Sequence, residues 1–180
     1  MEKICKLLLL VSVLLSPLNA SAEFYGQLGL GRSFNEGSII KDYKSKEYKD
    51  SNTYSLAAGY TFPIPFFNPR AEIEYLKANP KAKDTSVTEL NSLFLNGYVN
   101  VPLIPIVDPY IGLGVGETRF EHNYSPAVQG MLGVDFEIPL ISTTIGGEYR
   151  YLKINETGGK QSDKVKYHAN ILMLKLRYSF

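Results

Sequence analysis

The sequence predicts an all-β chain: eight antiparallel strands closed into an up-and-down transmembrane β-barrel. Three observations carry that expectation. Apolar and polar residues alternate with a period of two in eight successive runs, as strands with two unlike faces require. The connections between the runs alternate in character. The chain also opens with a stretch suited to export.

That opening stretch, "MEKICKLLLLVSVLLSPLNASA", has a basic start (Lys3, Lys6), an apolar run from Leu7 to Leu15 and small residues at Ala20, Ser21 and Ala22. This is the layout of a secretory signal peptide, and the run is too short for a spanning helix. Residues 1–22 are therefore expected to be removed, leaving 23–180 as one domain. Cys5, the single cysteine, leaves with them, so neither a disulfide nor a cysteine-bound metal is expected. The full chain carries 19 Lys and Arg against 18 Asp and Glu. Losing Lys3, Lys6 and Glu2 makes the two signs equal, a balance that gives no pull toward nucleic acid.

The runs cover about 23–35, 53–62, 70–79, 89–102, 109–121, 127–139, 142–154 and 165–180. No stretch after Glu23 has a convincing helical period. Connections one, three, five and seven are polar: 36–52 and 155–164 are long, 80–88 is rich in Lys and Thr, and the fifth lies near His122 to Pro126. Connections two, four and six are short or proline-rich. In an up-and-down barrel all odd connections fall at one end, and outer-membrane barrels put long loops outside and short turns in the periplasm.

Each run has an apolar and a polar side. In the last, Leu172, Leu174, Leu176, Tyr178 and Phe180 oppose Met173, Lys175, Arg177 and Ser179. In the sixth, Val128, Leu132, Val134, Phe136 and Ile138 oppose Gln129, Met131, Gly133, Asp135 and Glu137. The inward charges then form a set: Arg70, Arg150, Lys175 and Arg177 against Glu72, Glu74, Asp135, Glu137 and Glu148. Eight strands enclose room for side chains and no wide channel, and buried charges must be paired. A salt-bridged plug is the expectation, with a narrow conducting path as the alternative. Phe24, Phe62, Phe136, Tyr178 and Phe180 are expected at one rim and Phe34, Tyr54, Tyr75 and Tyr151 at the other, the two aromatic girdles of a membrane barrel. A soluble lipocalin-type barrel would instead turn its apolar face inward.

In order, "FYGQLGLGRSF" (24–34), "NPRAEIEY" (68–75), "DPYIGLGVGETRF" (108–120), "GGEYRY" (146–151) and the ending "LKLRYSF" resemble the small eight-stranded outer-membrane barrels of the OmpA-like and opacity-protein type. The resemblance spans 23–180. It implies a monomer in the bacterial outer membrane that touches lipid and lipopolysaccharide. It also implies that the final aromatic strand, through Leu176, Tyr178 and Phe180, is read by the outer-membrane assembly machinery. OmpA-type proteins often continue into a peptidoglycan-binding domain, and no such domain is expected here.

The resemblance further suggests adhesion through the loops. Lys41, Tyr43, Lys44, Lys46, Tyr48 and Lys49 of the first loop fit contact with a host surface or acidic saccharide equally as well as a solvated loop. Lipid-A-modifying barrel enzymes exist, so such a hydrolase is the less favoured alternative, but catalysis is not expected. His122 lies near Ser125 without an orienting acid, and His168 stands beside Tyr167 and Asn170. Two histidines without an acidic motif make a poor zinc site, and no cofactor is implied. Gly112, Gly114 and Gly116, with Gly29 and Gly31, lack the helix and Lys-Ser/Thr pair of a phosphate loop. They are expected where crowded lumen side chains need space.

Overall fold

The computed structural model describes residues 23–35, 48–49, 51–62, 64, 68–79, 81–82, 89–101, 106–120, 123–138, 141–155 and 166–180. The expected signal peptide and most of the first loop lie outside these residues. Eight long strands form a closed antiparallel barrel: β1 (Glu23–Asn35), β2 (Ser51–Thr61), β3 (Asn68–Ala78), β4 (Leu90–Asn100), β5 (Val107–Phe120), β6 (Asn123–Ile138), β7 (Thr143–Asn155) and β8 (Lys166–Ser179). Each pairs with its neighbour in sequence, and β1 also pairs with β8 along a seam running from Tyr25↔Ser179 to Asn35↔Ala169. A two-residue ladder joins Tyr48–Lys49 to Lys81–Ala82 beyond the barrel.

The register fixes the tilt. Stepping from Phe34 through Asn170, Tyr151, Gly130, Leu113, Gly97, Ala71 and Tyr60 returns to β1 at Phe24. One circuit therefore climbs 34 − 24 = 10 residues, the stagger that inclines strands to the barrel axis.

Strict alternation gives the wall two faces. Large apolar residues such as Leu30, Leu56, Ile73, Leu95, Leu113, Leu132 and Leu174 point outward and are exposed. Burying that surface in hydrocarbon, with every barrel edge paired, is what makes the fold stable in a membrane. Of the girdle residues named from the sequence, Phe24, Phe34, Tyr54, Tyr75, Phe136, Tyr151, Tyr178 and Phe180 are exposed on the outer wall, whereas Phe62, just past β2, is half-buried. Two outward tyrosines have short-range partners: Tyr75 of the girdle donates to Asn91 Oδ1 at 2.7 Å, and Tyr149, not among the girdle residues named from the sequence, donates to Asn170 Oδ1 at 2.6 Å. A phenol facing lipid has no water to satisfy it, and a same-face asparagine on the next strand does so instead.

One boundary differs from expectation. The polar stretch Tyr124–Pro126 belongs to β6 and not to a loop, and the β5–β6 connection is confined to 121–122. Composition misled because a polar stretch can alternate: Tyr124 points outward and Ser125 is buried in the lumen opposite Thr118.

Candidate functional site

The lumen concentrates the chemistry of the chain. Arg150 is fully buried and central. Its guanidinium donates to both oxygens of Glu74 at 2.8 and 3.0 Å and to Glu148 Oε1 at 2.7 and 3.0 Å. Such a fork matches carboxylate geometry and a lysine would not. Glu148 also accepts from Lys175 Nζ at 2.7 Å and from the Tyr110 hydroxyl at 2.9 Å. Gln129 and Asn96 add amide donors to Glu74.

A second centre lies nearer the termini. Arg177 donates to Asp135 Oδ2 at 2.9 Å, and Asn100 reaches the same oxygen at 3.4 Å. Arg70 approaches it at 3.3 Å, within ion-pair range but off hydrogen-bond geometry, and its nitrogens find no hydrogen-bond partner. Aromatic faces hold the Arg70 cation instead: its guanidinium carbon is 4.8 Å from the Tyr98 ring centre and 5.0 Å from that of Tyr110. Each such contact is worth about 0.5–2 kcal/mol. Glu72 sits between the two centres. Four neutral donors converge on it: Tyr25, Gln27, Asn96 and Tyr98, at 3.0–3.1 Å.

Toward the loops the filling changes. Leu76, Phe94, Leu152, Ile154, Ile171 and Met173 form a buried apolar cluster with Ala127 and Ala169. Around it, Ser33 bonds Ser51 and Ser92 bonds Thr118 across neighbouring strands.

Glycines set the packing. A Cβ on Gly59 would strike the Tyr25 ring, one on Gly112 the Tyr98 ring and one on Gly133 the Tyr110 ring. Each large lumen tyrosine lies over a bare stretch of the neighbouring strand. Gly29, Gly31, Gly114 and Gly116 are likewise crowded by lumen side chains or backbone, as the sequence led one to expect.

Of the nine charges named from the sequence, Arg70, Glu72, Glu74, Asp135, Glu148, Arg150, Lys175 and Arg177 are buried in the lumen. Glu137 is a correction. It has the inward parity but lies at the end of β6, exposed beside the carboxyl of Asp108, outside both ionic centres. Reasoning from sequence missed Tyr25, Tyr98, Tyr110 and the amides. Their parity was legible, but which glycine each faces depends on register.

Leu176, Tyr178 and Phe180 are exposed on the outer wall, and the Phe180 amide donates to the Phe24 carbonyl at 3.0 Å. Lys41, Tyr43, Lys44, Lys46 and His122 lie outside the described residues. Tyr48 and Lys49 are in the small ladder. His168 stacks on Tyr151 with ring centres 6.5 Å apart on the outer wall, whereas Ser125 faces the lumen.

Comparison with known proteins finds the same β-barrel fold. A family model described as "Outer membrane protein beta-barrel domain" matches residues 5–180. The chain belongs to this family. Membership of the outer-membrane β-barrel family places it in the bacterial outer membrane. Among solved structures, Neisserial surface protein A is 16% identical at a TM-score of 0.63, covering 89% of this chain and 99% of its own. The outer membrane enzyme PagL is 12% identical at 0.58, covering 83% and 97%. OprG from Pseudomonas aeruginosa is 15% identical at 0.51, covering 89% and 97%. At these identities the likeness is one of fold. No curated protein sequence matches the chain.

Proposed function

We propose that this outer-membrane β-barrel is a non-enzymatic surface protein: a closed scaffold that conducts no solutes and presents its loops for contact with a host surface or other ligand. The observation that carries the reading is the filled lumen. Ionic centres occupy the half near the termini and apolar side chains the half near the loops, so neither half offers a wetted path. In this reading the long connections face outside and the termini face the periplasm, as the uneven connections of such barrels do.

Two measurements test it. The purified protein in a planar bilayer should give no stable porin-like steps; regular steps abolished by bulky lumen substitutions would establish a pore instead. Trypsin on intact cells should cut within 41–49 and leave the strands whole, and the cut cells should lose surface binding. Full protection of that segment in cells with short lipopolysaccharide would reverse the orientation.

A further inference from the structure

Two unmet chemical needs lie side by side at the terminus-side mouth of the lumen. The first is that of Arg70. It is buried, and none of its three side-chain nitrogens has a hydrogen-bond partner. Its ion-pair partner, Asp135 Oδ2, is already claimed by Arg177 at 2.9 Å and by Asn100 at 3.4 Å. The tyrosine rings attract the guanidinium charge, but they leave the five N–H donors in its plane without acceptors.

The second need belongs to a pair of carboxyls. Asp108 is buried directly opposite Asp135 in the β5–β6 ladder, and Glu137 is the next residue of inward parity on β6. The two side chains are hydrogen-bonded to each other. Carboxyl groups bond in this way only when one of them carries a proton. Among the described residues no lysine or arginine forms a salt bridge with either of them. The charges that bear on Glu137 are all acidic: Asp108, Asp135 and Glu23 of β1. The cation that bears on Asp108 is Arg70.

We propose that Asp108, Glu137 and Arg70 form a proton-operated latch at this mouth. With the proton in place, Asp108 is tied to Glu137 and the latch joins β5 to β6. When the proton leaves, the two carboxylates repel each other. Glu137 is exposed, so it passes the proton to water and stays solvated. Asp108 then turns across the mouth and accepts from the free N–H groups of Arg70, joining β5 to β3. Register makes that swing short. Asp135, which faces Asp108, already lies 3.3 Å from Arg70, and directly opposed residues have Cβ atoms about 4.5–5.5 Å apart. Arg70 keeps Asp135 and its rings in both arrangements. From β8, Arg177 stays on Asp135 and Lys175 on Glu148. From β7, Thr144 and Gly146 face this end of β6, and from β4 Asn100 touches Asp135. A guanidinium paired to a carboxylate is among the stronger contacts a lumen can form, so the need of Arg70 sets where Asp108 goes.

Nuclear magnetic resonance of the folded protein in detergent micelles tests the latch, independently of orientation in cells. The Arg70 side-chain N–H signals and the Glu137 carboxyl carbon are followed from about pH 4 to about pH 8, a span wide enough for carboxyls in unusual surroundings. Both should move with one midpoint. Above it, exchange of the Arg70 N–H protons with water should slow by about tenfold relative to those of Arg150, as a new charge-assisted hydrogen bond implies. Glu137→Gln puts an amide donor where the protonated carboxyl stood and should hold Arg70 at its acid-side signal throughout. Glu137→Ala removes the competitor and should hold it at the neutral-side signal. Asp108→Asn should abolish the response. Heat-dependent gel mobility reports whether each variant is folded; if Asp108→Asn is not, the opposite effects of the two Glu137 variants decide. Arg70 signals that stay still while Glu137 titrates would overturn the latch. So would a response that survives in Asp108→Asn, which would assign the titration to Asp135, or Glu137 variants that behave alike.

Discussion

Arg150 and Leu152 are successive lumen-facing residues of β7, both buried, and they are held by opposite means. Arg150 is fixed by two carboxylates reaching it from β3 and β7. Leu152 is fixed by shape among Leu76, Ile171 and their neighbours. The same change from charged to apolar recurs along β3, from Glu74 to Leu76, and along β8, from Lys175 to Met173 and Ile171. The ionic half is directional: each group needs a particular partner, and removing one strands the other. The apolar half is tolerant: contacts are many, weak and replaceable. The half near the termini thus specifies which strands meet, and the half near the loops mainly excludes water.

The difference can be broken most forcefully at Arg150. Arg150→Met leaves Glu74 with amide donors only and Glu148 with Lys175 and Tyr110. Losing one partner of a buried ion pair costs about 3–5 kcal/mol. Urea unfolding in detergent micelles should show that loss, and a simultaneous Glu74→Gln change should recover part of it. A single variant as stable as the parent would mean that water, and not Arg150, neutralises Glu74.

Leu152→Ala tests the other half. A buried leucine truncated to alanine costs about 2–5 kcal/mol, and the lower end is expected because the flexible Met173 can shift into the space. The same unfolding measurement, with a loss exceeding that of Arg150→Met, would invert the ranking of the two halves.

The smallest effect sharpens the comparison within one strand. Gly133→Ala drives a methyl into the Tyr110 ring, which holds Glu148, and overpacking of this kind costs about 1–3 kcal/mol. Gly130→Ala points into open space on the outer wall and should be neutral. Equal effects at the two glycines would show that strand propensity, and not tyrosine packing, governs both.

Much of this was legible beforehand because a barrel strand writes its two environments in alternate letters. Asp135, Glu148, Arg150, Lys175 and Arg177 were placed by parity alone. The apolar plug was hidden for the same reason: in "NILMLKL" (170–176) both faces are apolar, so Ile171 and Met173 do not stand out from Leu172 and Leu174. Counting on from Arg150 would have put Leu152 and Ile154 inside. Glu137 had the right parity and the wrong depth, since alternation carries no information about distance from the rim. Arg70 among three tyrosines required the register of β1, β3, β4 and β5 together, which no single run contains.

The seam between β1 and β8 has a consequence in time. Every other strand pair joins neighbours in sequence and can form soon after the second strand is available. The seam joins residues near 25 to residues near 179, the slow, long-range kind of contact. Until it forms, the sheet has two bare edges, and unpaired backbone in hydrocarbon is prohibitively costly. Closure and insertion are therefore coupled, with no half-barrel to pause at. Run backwards, the same coupling means that the finished protein cannot fray from an end, because both ends are stitched into one another. Opening the barrel means breaking a whole strand ladder at once, so its persistence in the membrane is a matter of a kinetic barrier as well as of a balance of contacts.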